Sequence, residues 1–201
     1  MQFLAWTTLV AITLYLLKSQ QERQRIALLA GYLGRYQIEK SMETLVAGYM
    51  RALGEADTQR QQQVWNHMHD TEARLADQVA GLATELARAD AQDTRISTLG
   101  LALPFADKLF PSLTFDLRKA IAIHARGIRD AVSADPDQDA KSRAFTISAE
   151  LFLMQHTCHW FCKSRAVASA RMVVRHKTGY EQLVASVAPA TAKAYRALLA
   201  G

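Results

Sequence analysis

Residues 58–89, TQRQQQVWNHMHDTEARLADQVAGLATELARA, carry the clearest period in the chain. Met68, Leu75 and Leu82 recur every seven residues, and Trp65, Val79 and Leu86 form a second row beside them. Two apolar rows at heptad spacing mark a helix that buries one stripe against a neighbouring helix. Glu72 falls on the second row and interrupts it, and Gln61, Gln62 and Gln63 keep the first turns polar. Asp57 stands where an N-cap is needed. The stretch predicts a helix from about Thr58 to Ala89. Its stripe can pair with the preceding helix in an antiparallel hairpin over residues 18–90, or with a second copy in a short coiled coil. The short link Gly54 to Asp57 favours the hairpin.

Before this segment, Ile26, Leu29, Leu33 and Tyr36 keep a helical spacing. Ile38, Met42, Leu45, Tyr49 and Leu53 continue it on a shifted stripe. One long helix ending near Leu53 is expected, with Gly31 and Gly34 as bending points and Gly54 as the residue past its end. After it, residues 93–201 read as further helices. A short one is expected between Asp93 and Pro104, then a packed connection through Pro111. Ser112 is positioned to cap a helix from Leu113 to Val132. Ser133 to Asp139 reads as an exposed loop. A long helix from Ala140 to His176 closes at Gly179, and a last one restarts at Pro189. The chain of 201 residues has 34 alanines, the best helix former and a poor strand former. No alternating run is long enough for a strand. The fold class is all-α, an antiparallel helical bundle with enough apolar residues for a core.

The first seventeen residues, MQFLAWTTLVAITLYLL, carry no charged side chain, and Lys18, Arg23 and Arg25 follow at once. Such a length is at the short end of what crosses a bilayer. A cleaved signal peptide would need a basic start and a small-residue cleavage site, and neither is present. A buried soluble helix competes, because Gln2, Thr7, Thr8 and Thr13 dilute the apolarity. Trp6 and Tyr15 near the two ends suit headgroup regions, and the threonine hydroxyls can bond back to the backbone. Residues 1–17 are therefore expected to be an uncleaved single-pass anchor. Basic residues lie only after the span, which predicts the N-terminus outside and residues 18–201 in the cytoplasm. Two cysteines are too few for a disulfide framework.

The net charge of +5 is uneven. Residues 55–100 hold four basic and eight acidic side chains, whereas residues 138–201 hold nine and three. Lys163, Arg165, Arg171, Arg175 and Lys177 lie close together with no acid between them. They could face anionic lipid or neutralise the acidic second helix. No RNA-binding or helix-turn-helix pattern accompanies them, so nucleic acid is not an expected partner.

His156-Thr157-Cys158-His159-Trp160-Phe161-Cys162 is the most suggestive cluster. On a helix, Cys158, His159 and Cys162 share an arc of about 100°. Thiolate plus imidazole is a donor set zinc favours, with His124 or His176 able to close the site. Zinc motifs usually pair ligands across turns, and the flanking aromatics equally suit a core helix. His69-Asp70 resembles the dipeptide of HD-type phosphohydrolases, but those need an earlier separate His, and His67 is the first in this chain. Phosphate loops, nucleophile elbows, zinc-protease and di-iron motifs are absent.

The expected role is accordingly non-catalytic: a membrane-anchored interaction, scaffold or regulatory subunit of a membrane complex, with a protein partner or a second copy. The alternative is a metal- or thiol-responsive sensor built on Cys158, His159 and Cys162, with zinc as its cofactor.

Overall fold

The computed structural model describes residues 2–100, 103–133 and 139–201. Helix dominates them. In chain order come α1 (Gln2–Leu33), α2 (Ile38–Gly54), α3 (Thr58–Leu86), strand β1 (Arg95–Ser97), α4 (Ala106–Leu109), a 3₁₀ turn (Pro111–Leu113) and strand β2 (Thr114–Asp116). There follow α5 (Leu117–Val132), α6 (Ala140–Cys162), α7 (Arg165–His176), α8 (Tyr180–Ser186) and α9 (Pro189–Ala200). The all-α reading holds.

The predicted heptad helix is α3. Asp57 caps it, its carboxylate accepting from the backbone N–H groups of Gln59 and Arg60 at 2.9 and 3.0 Å. Trp65, Met68, Leu75, Val79, Leu82 and Leu86 are all buried. Helices α2 and α3 pack side by side. Gln61 reaches Ala52, Tyr49 reaches Glu72, and Gln78 reaches Gln37, so the two run in opposite directions. The other face of α3 meets α5. Its apolar rows are thus covered within one chain, and the intersubunit coiled coil is left without a seam.

The single long helix expected up to Leu53 is two. The chain turns at residues 34–37, with the Gly34 N–H donating to Ala30 O at 2.9 Å and Tyr36 N–H to Leu33 O at 3.0 Å. The reason lies in the shifted stripe. Leu29 and the set Ile38, Met42, Leu45 and Tyr49 are out of phase, and one straight helix cannot turn both toward the same neighbours. Gly54 ends α2 as its last helical residue, and the extended Glu55 is the cap.

Residues 95–97 are a strand rather than a short helix. Arg95, Ile96 and Ser97 pair antiparallel with Asp116, Phe115 and Thr114. Ile96 and Phe115 are buried together, and Trp160 donates from Nε1 to Ser97 O at 3.0 Å. Three residues are too few to show an alternating pattern. The cap of α5 is Asp116, not Ser112, because β2 occupies the intervening residues. Its carboxylate accepts from Arg118 N–H at 2.8 Å and pairs with the Arg118 guanidinium at 2.7 Å.

The helix expected from Ala140 to His176 breaks at Lys163. Ser164 is extended and caps α7 by accepting from Val167 N–H at 3.3 Å. Pro189 starts α9 at its first turn, as the missing N–H of proline allows. The predicted loop from Ser133 to Asp139 lies largely outside the described residues. Helix α5 is the central member, packing on α3, α6 and α9. Leu117, Ile121 and Ile128 of α5 are fully buried beside Ile147, Leu151 and Phe161 of α6.

Candidate functional site

Two surfaces and one interior region carry the chemistry. The first surface is α1. Every residue from Gln2 to Leu16 is exposed, although most are apolar. Thr7, Thr8 and Thr13 donate their hydroxyls back to carbonyls three or four residues earlier, at 2.8–2.9 Å. The three threonine hydroxyls are thus satisfied within the helix itself. Past Leu17 the helix docks. Glu22 pairs with Lys163, and Arg25 lies 3.3 Å from Asp107 while also donating to Arg95 O at 3.1 Å. Among the described residues, α1 is the helix long and apolar enough to cross a membrane, and none of its apolar window is buried.

The second surface is a groove of about 400 Å³ between α2, α6 and α7. Met42, Val46, Met50 and Phe152 give it an apolar floor and wall, and Glu43 and Arg175 pair across its rim at 3.3 Å. Met50 is 66% exposed, a large apolar side chain left to solvent at the mouth. His176 stacks on Phe152 with centroids 3.9 Å apart and bonds Gln155 Oε1 at 3.2 Å. Burial lowers the pKa of His176, and Arg175 adds to it. Burial likewise lowers that of His159, with Arg171 beside it. Both imidazoles are thus biased toward the neutral form, and the groove presents apolar and polar groups inside one charged rim.

The predicted basic stretch is divided among separate partners. Lys163 turns to Glu22 on α1. The Arg165 guanidinium lies 4.6 Å from the Tyr180 ring centroid and 5.5 Å from that of Trp160, with Glu181 at 3.4 Å. Arg171 meets His159 Nδ1 at 3.2 Å, and Arg175 meets Glu43. Lys177 ends α7 in the left-handed region, with φ 54°. Arg171 and Arg175 lie together on α7 beside His159 and His176, and of the two only Arg175 lines the groove.

Cys158, His159 and Cys162 all sit near the end of α6, and both thiols are free and half-buried. Burial pushes Cys158 up to about 12 and raises Cys162 as well. Thiols held protonated at neutral pH are weak nucleophiles and weak metal ligands. His159 faces Arg171. Among the described residues, no three His, Cys, Asp or Glu side chains gather closely enough to hold a metal ion.

The interior holds what sequence reading missed. Glu72, the apparent flaw in the α3 stripe, is 1% exposed. It accepts from the Tyr49 hydroxyl at 2.8 Å and lies 3.5 Å from Arg143 on α6. Glu150 is wholly buried and accepts from Ala188 N–H at 3.0 Å. Burial, opposed by Thr191 and Ala188, pushes its carboxyl up to about 7. His124 and Tyr195 both meet the Thr157 hydroxyl, at 2.9 and 3.0 Å, and that hydroxyl donates to Leu153 O. Its one proton is thus used, so His124 Nε2 and the tyrosine are the donors, and α5, α6 and α9 are tied together. Burial brings His124 down to about 3 and His156 to about 4. Glu72, Glu150, His124, His156, Thr157 and Tyr195 are all buried, and their bonds tie neighbouring helices together.

Comparison of the chain with protein families, with characterised proteins and with solved structures finds no match. What sequence and fold define together is a class: an all-α protein with one N-terminal helix long and apolar enough to cross a membrane.

Proposed function

We propose that this chain is a membrane-anchored interaction subunit, a scaffold or regulatory member of a membrane-associated complex. Residues 1–17 form the single-pass anchor, the N-terminus lies outside, and residues 18–201 form a cytoplasmic antiparallel helical bundle. The observation that carries the reading is the exposure of residues 2–16: a largely apolar helical surface that none of the other described residues covers. A helix apolar all round needs either a protein interior or lipid. The basic residues that follow it support the orientation. The groove between α2, α6 and α7 supplies a second surface, suited to the apolar face of a partner helix. Nucleic acid fits neither surface.

The sensor reading, with zinc or oxidation acting at Cys158, His159 and Cys162, has less support. Its thiols are held protonated, and Arg171 stands against the imidazole.

The test is purification of the full-length protein from its own membranes in mild detergent, with stoichiometric companions identified by mass spectrometry. The expected result is a reproducible companion that is lost from a Met50→Asp variant of unchanged helicity. Recovery of the protein alone would defeat the complex-subunit reading. Zinc recovered with the wild type and lost on changing both Cys158 and Cys162 to Ser would favour the sensor instead.

A further inference from the structure

The segment between β1 and β2 returns to the base of α1. Within residues 103–113, five large apolar side chains are exposed: Leu103, Phe105, Leu109, Phe110 and Leu113. A run of this kind is unusual on a surface that faces only water. Its position is fixed by α1. The Gln21 side chain accepts from Phe105 N–H at 3.0 Å through Oε1 and donates to Asp107 Oδ1 at 3.0 Å through Nε2. Arg25, one turn further on, reaches the same carboxylate. Phe105 is held at φ 57°, a left-handed conformation costly for an aromatic residue, which persists where surrounding contacts impose it.

The height of this segment follows from helix geometry. Gln21 is four residues past Leu17, about 6 Å along the axis. The headgroup layer on each side of a bilayer is roughly 5–8 Å deep. If Leu17 marks the edge of the hydrocarbon, α1 delivers Phe105 and Asp107 into the headgroup layer. A second apolar element drawn to the same leaflet holds the domain tight against the membrane. Lys108 lies over the Phe105 ring and Lys18, shared with Glu22, lines the adjoining cleft, so positive charge stands beside the segment, while Asp107 is paired with Arg25.

We propose that residues 103–113 form a monotopic membrane foot, seated in the interface of the leaflet from which α1 emerges, with Leu109 and Phe110 dipping among the acyl chains. The occupant of this surface is anionic lipid. The inference rests on the reading of α1 as an anchor.

The experiment uses the full-length protein in vesicles of equal parts phosphatidylcholine and phosphatidylglycerol, with and without bromine on the acyl chains. Three proteins are compared: wild type, Trp6→Phe, and Trp6→Phe with Phe110→Trp, each checked for unchanged helicity. The difference between the first two reports the anchor, and the difference between the last two reports the foot. The expected result is that the indole introduced by Phe110→Trp loses most of its emission to the brominated lipid and is shielded from aqueous iodide. Quenching of Trp6 alone, with the introduced indole open to iodide, would overturn the foot and leave the anchor standing. If neither indole met bromine, the anchor would fail and the foot with it.

Discussion

The two halves of α1 form one unbroken helix, yet they have opposite surroundings. From Gln2 to Leu16 every side chain is exposed and none is charged. From Lys18 to Leu33 charged and amide residues alternate with Leu28, Leu29, Tyr32 and Leu33, which pack on the core. An amphipathic helix finds its place by burying one stripe. A helix without a polar face, laid on a protein by one stripe, still leaves its other apolar faces in water. The difference teaches that apolarity alone does not draw a segment into this fold: the pattern does, and the unpatterned half is left uncovered.

The sharpest way to break that comparison is to place a charge in each half. Leu29 is 4% exposed, so Leu29→Asp buries an uncompensated carboxylate and opens a cavity, at a cost of about 3–5 kcal/mol. The thermal midpoint in detergent should fall steeply, and membrane retention should not. Leu9→Arg should do the reverse. It touches no protein contact, and an arginine within a span costs about 2.5–3.5 kcal/mol. Sedimentation should show loss from the membrane fraction with the midpoint unchanged. Equal effects of both substitutions on the midpoint would mean that the first half also packs on protein.

Acidity separates the halves a second way. Residues 2–17 hold no carboxylate and no imidazole, so retention should be flat between pH 4.5 and 7. The folded domain should respond. Glu150 is raised from 4.5 to about 7, so across that window the native state keeps a proton that the unfolded chain has released. Its contribution to stability is present at low pH and is lost as pH rises, by about 3 kcal/mol in all. His124 and His156 act in the opposite direction, losing stability as pH falls below 6.5 toward about 3 and 4. Glu150→Gln isolates the first effect. Relative to wild type, the variant should gain stability steadily as pH rises from 4.5 to 7, read by denaturant unfolding. A constant difference would mean that Glu150 is ionised in the fold.

The junction of the halves should give an intermediate effect. Arg25→Ala leaves Asp107, whose side chain is 8% exposed, without its cation. The cost should be about 1–3 kcal/mol, concentrated locally. Hydrogen exchange should quicken at residues 103–110 while the α3 and α5 amides keep their protection. Uniform quickening would place Arg25 in the global core instead.

How much of this was readable follows from range. Asp57 and the rows through Met68 and Trp65 are local signals, and they were legible because a cap and a heptad need only neighbouring residues. That the N-terminal segment belongs to a helix long and apolar enough to cross a membrane was legible from composition alone. Ser164 was overlooked because apolar residues continue on both sides of it, so the break made no gap in the pattern. Strands β1 and β2 lie 16 residues apart and are three residues each, below what alternation can reveal. Glu72 looked like a flaw because its partner Arg143 is 71 positions away. The groove was invisible for the same reason. Met42, Phe152 and Arg175 meet only after α2, α6 and α7 have packed.

Two glycines give the smallest and most discriminating test. Gly31 lies in the second half of α1 on its exposed side, and a Cβ built there meets nothing within 4 Å. Alanine is the better helix former, so Gly31→Ala should stabilise the domain by about 0.5–1 kcal/mol. Gly127 in α5 is equally helical, but a Cβ there would run into Thr191 and the Glu150 carboxylate. The same substitution should therefore change sign, destabilising by about 1–3 kcal/mol as the buried carboxylate is displaced. Propensity alone predicts the same gain at both sites, so opposite shifts in the thermal midpoint measure the packing term directly. Should Gly31→Ala destabilise instead, a neighbour must close on that face of α1, and the docked half of the helix would be covered more fully than its exposed side indicates.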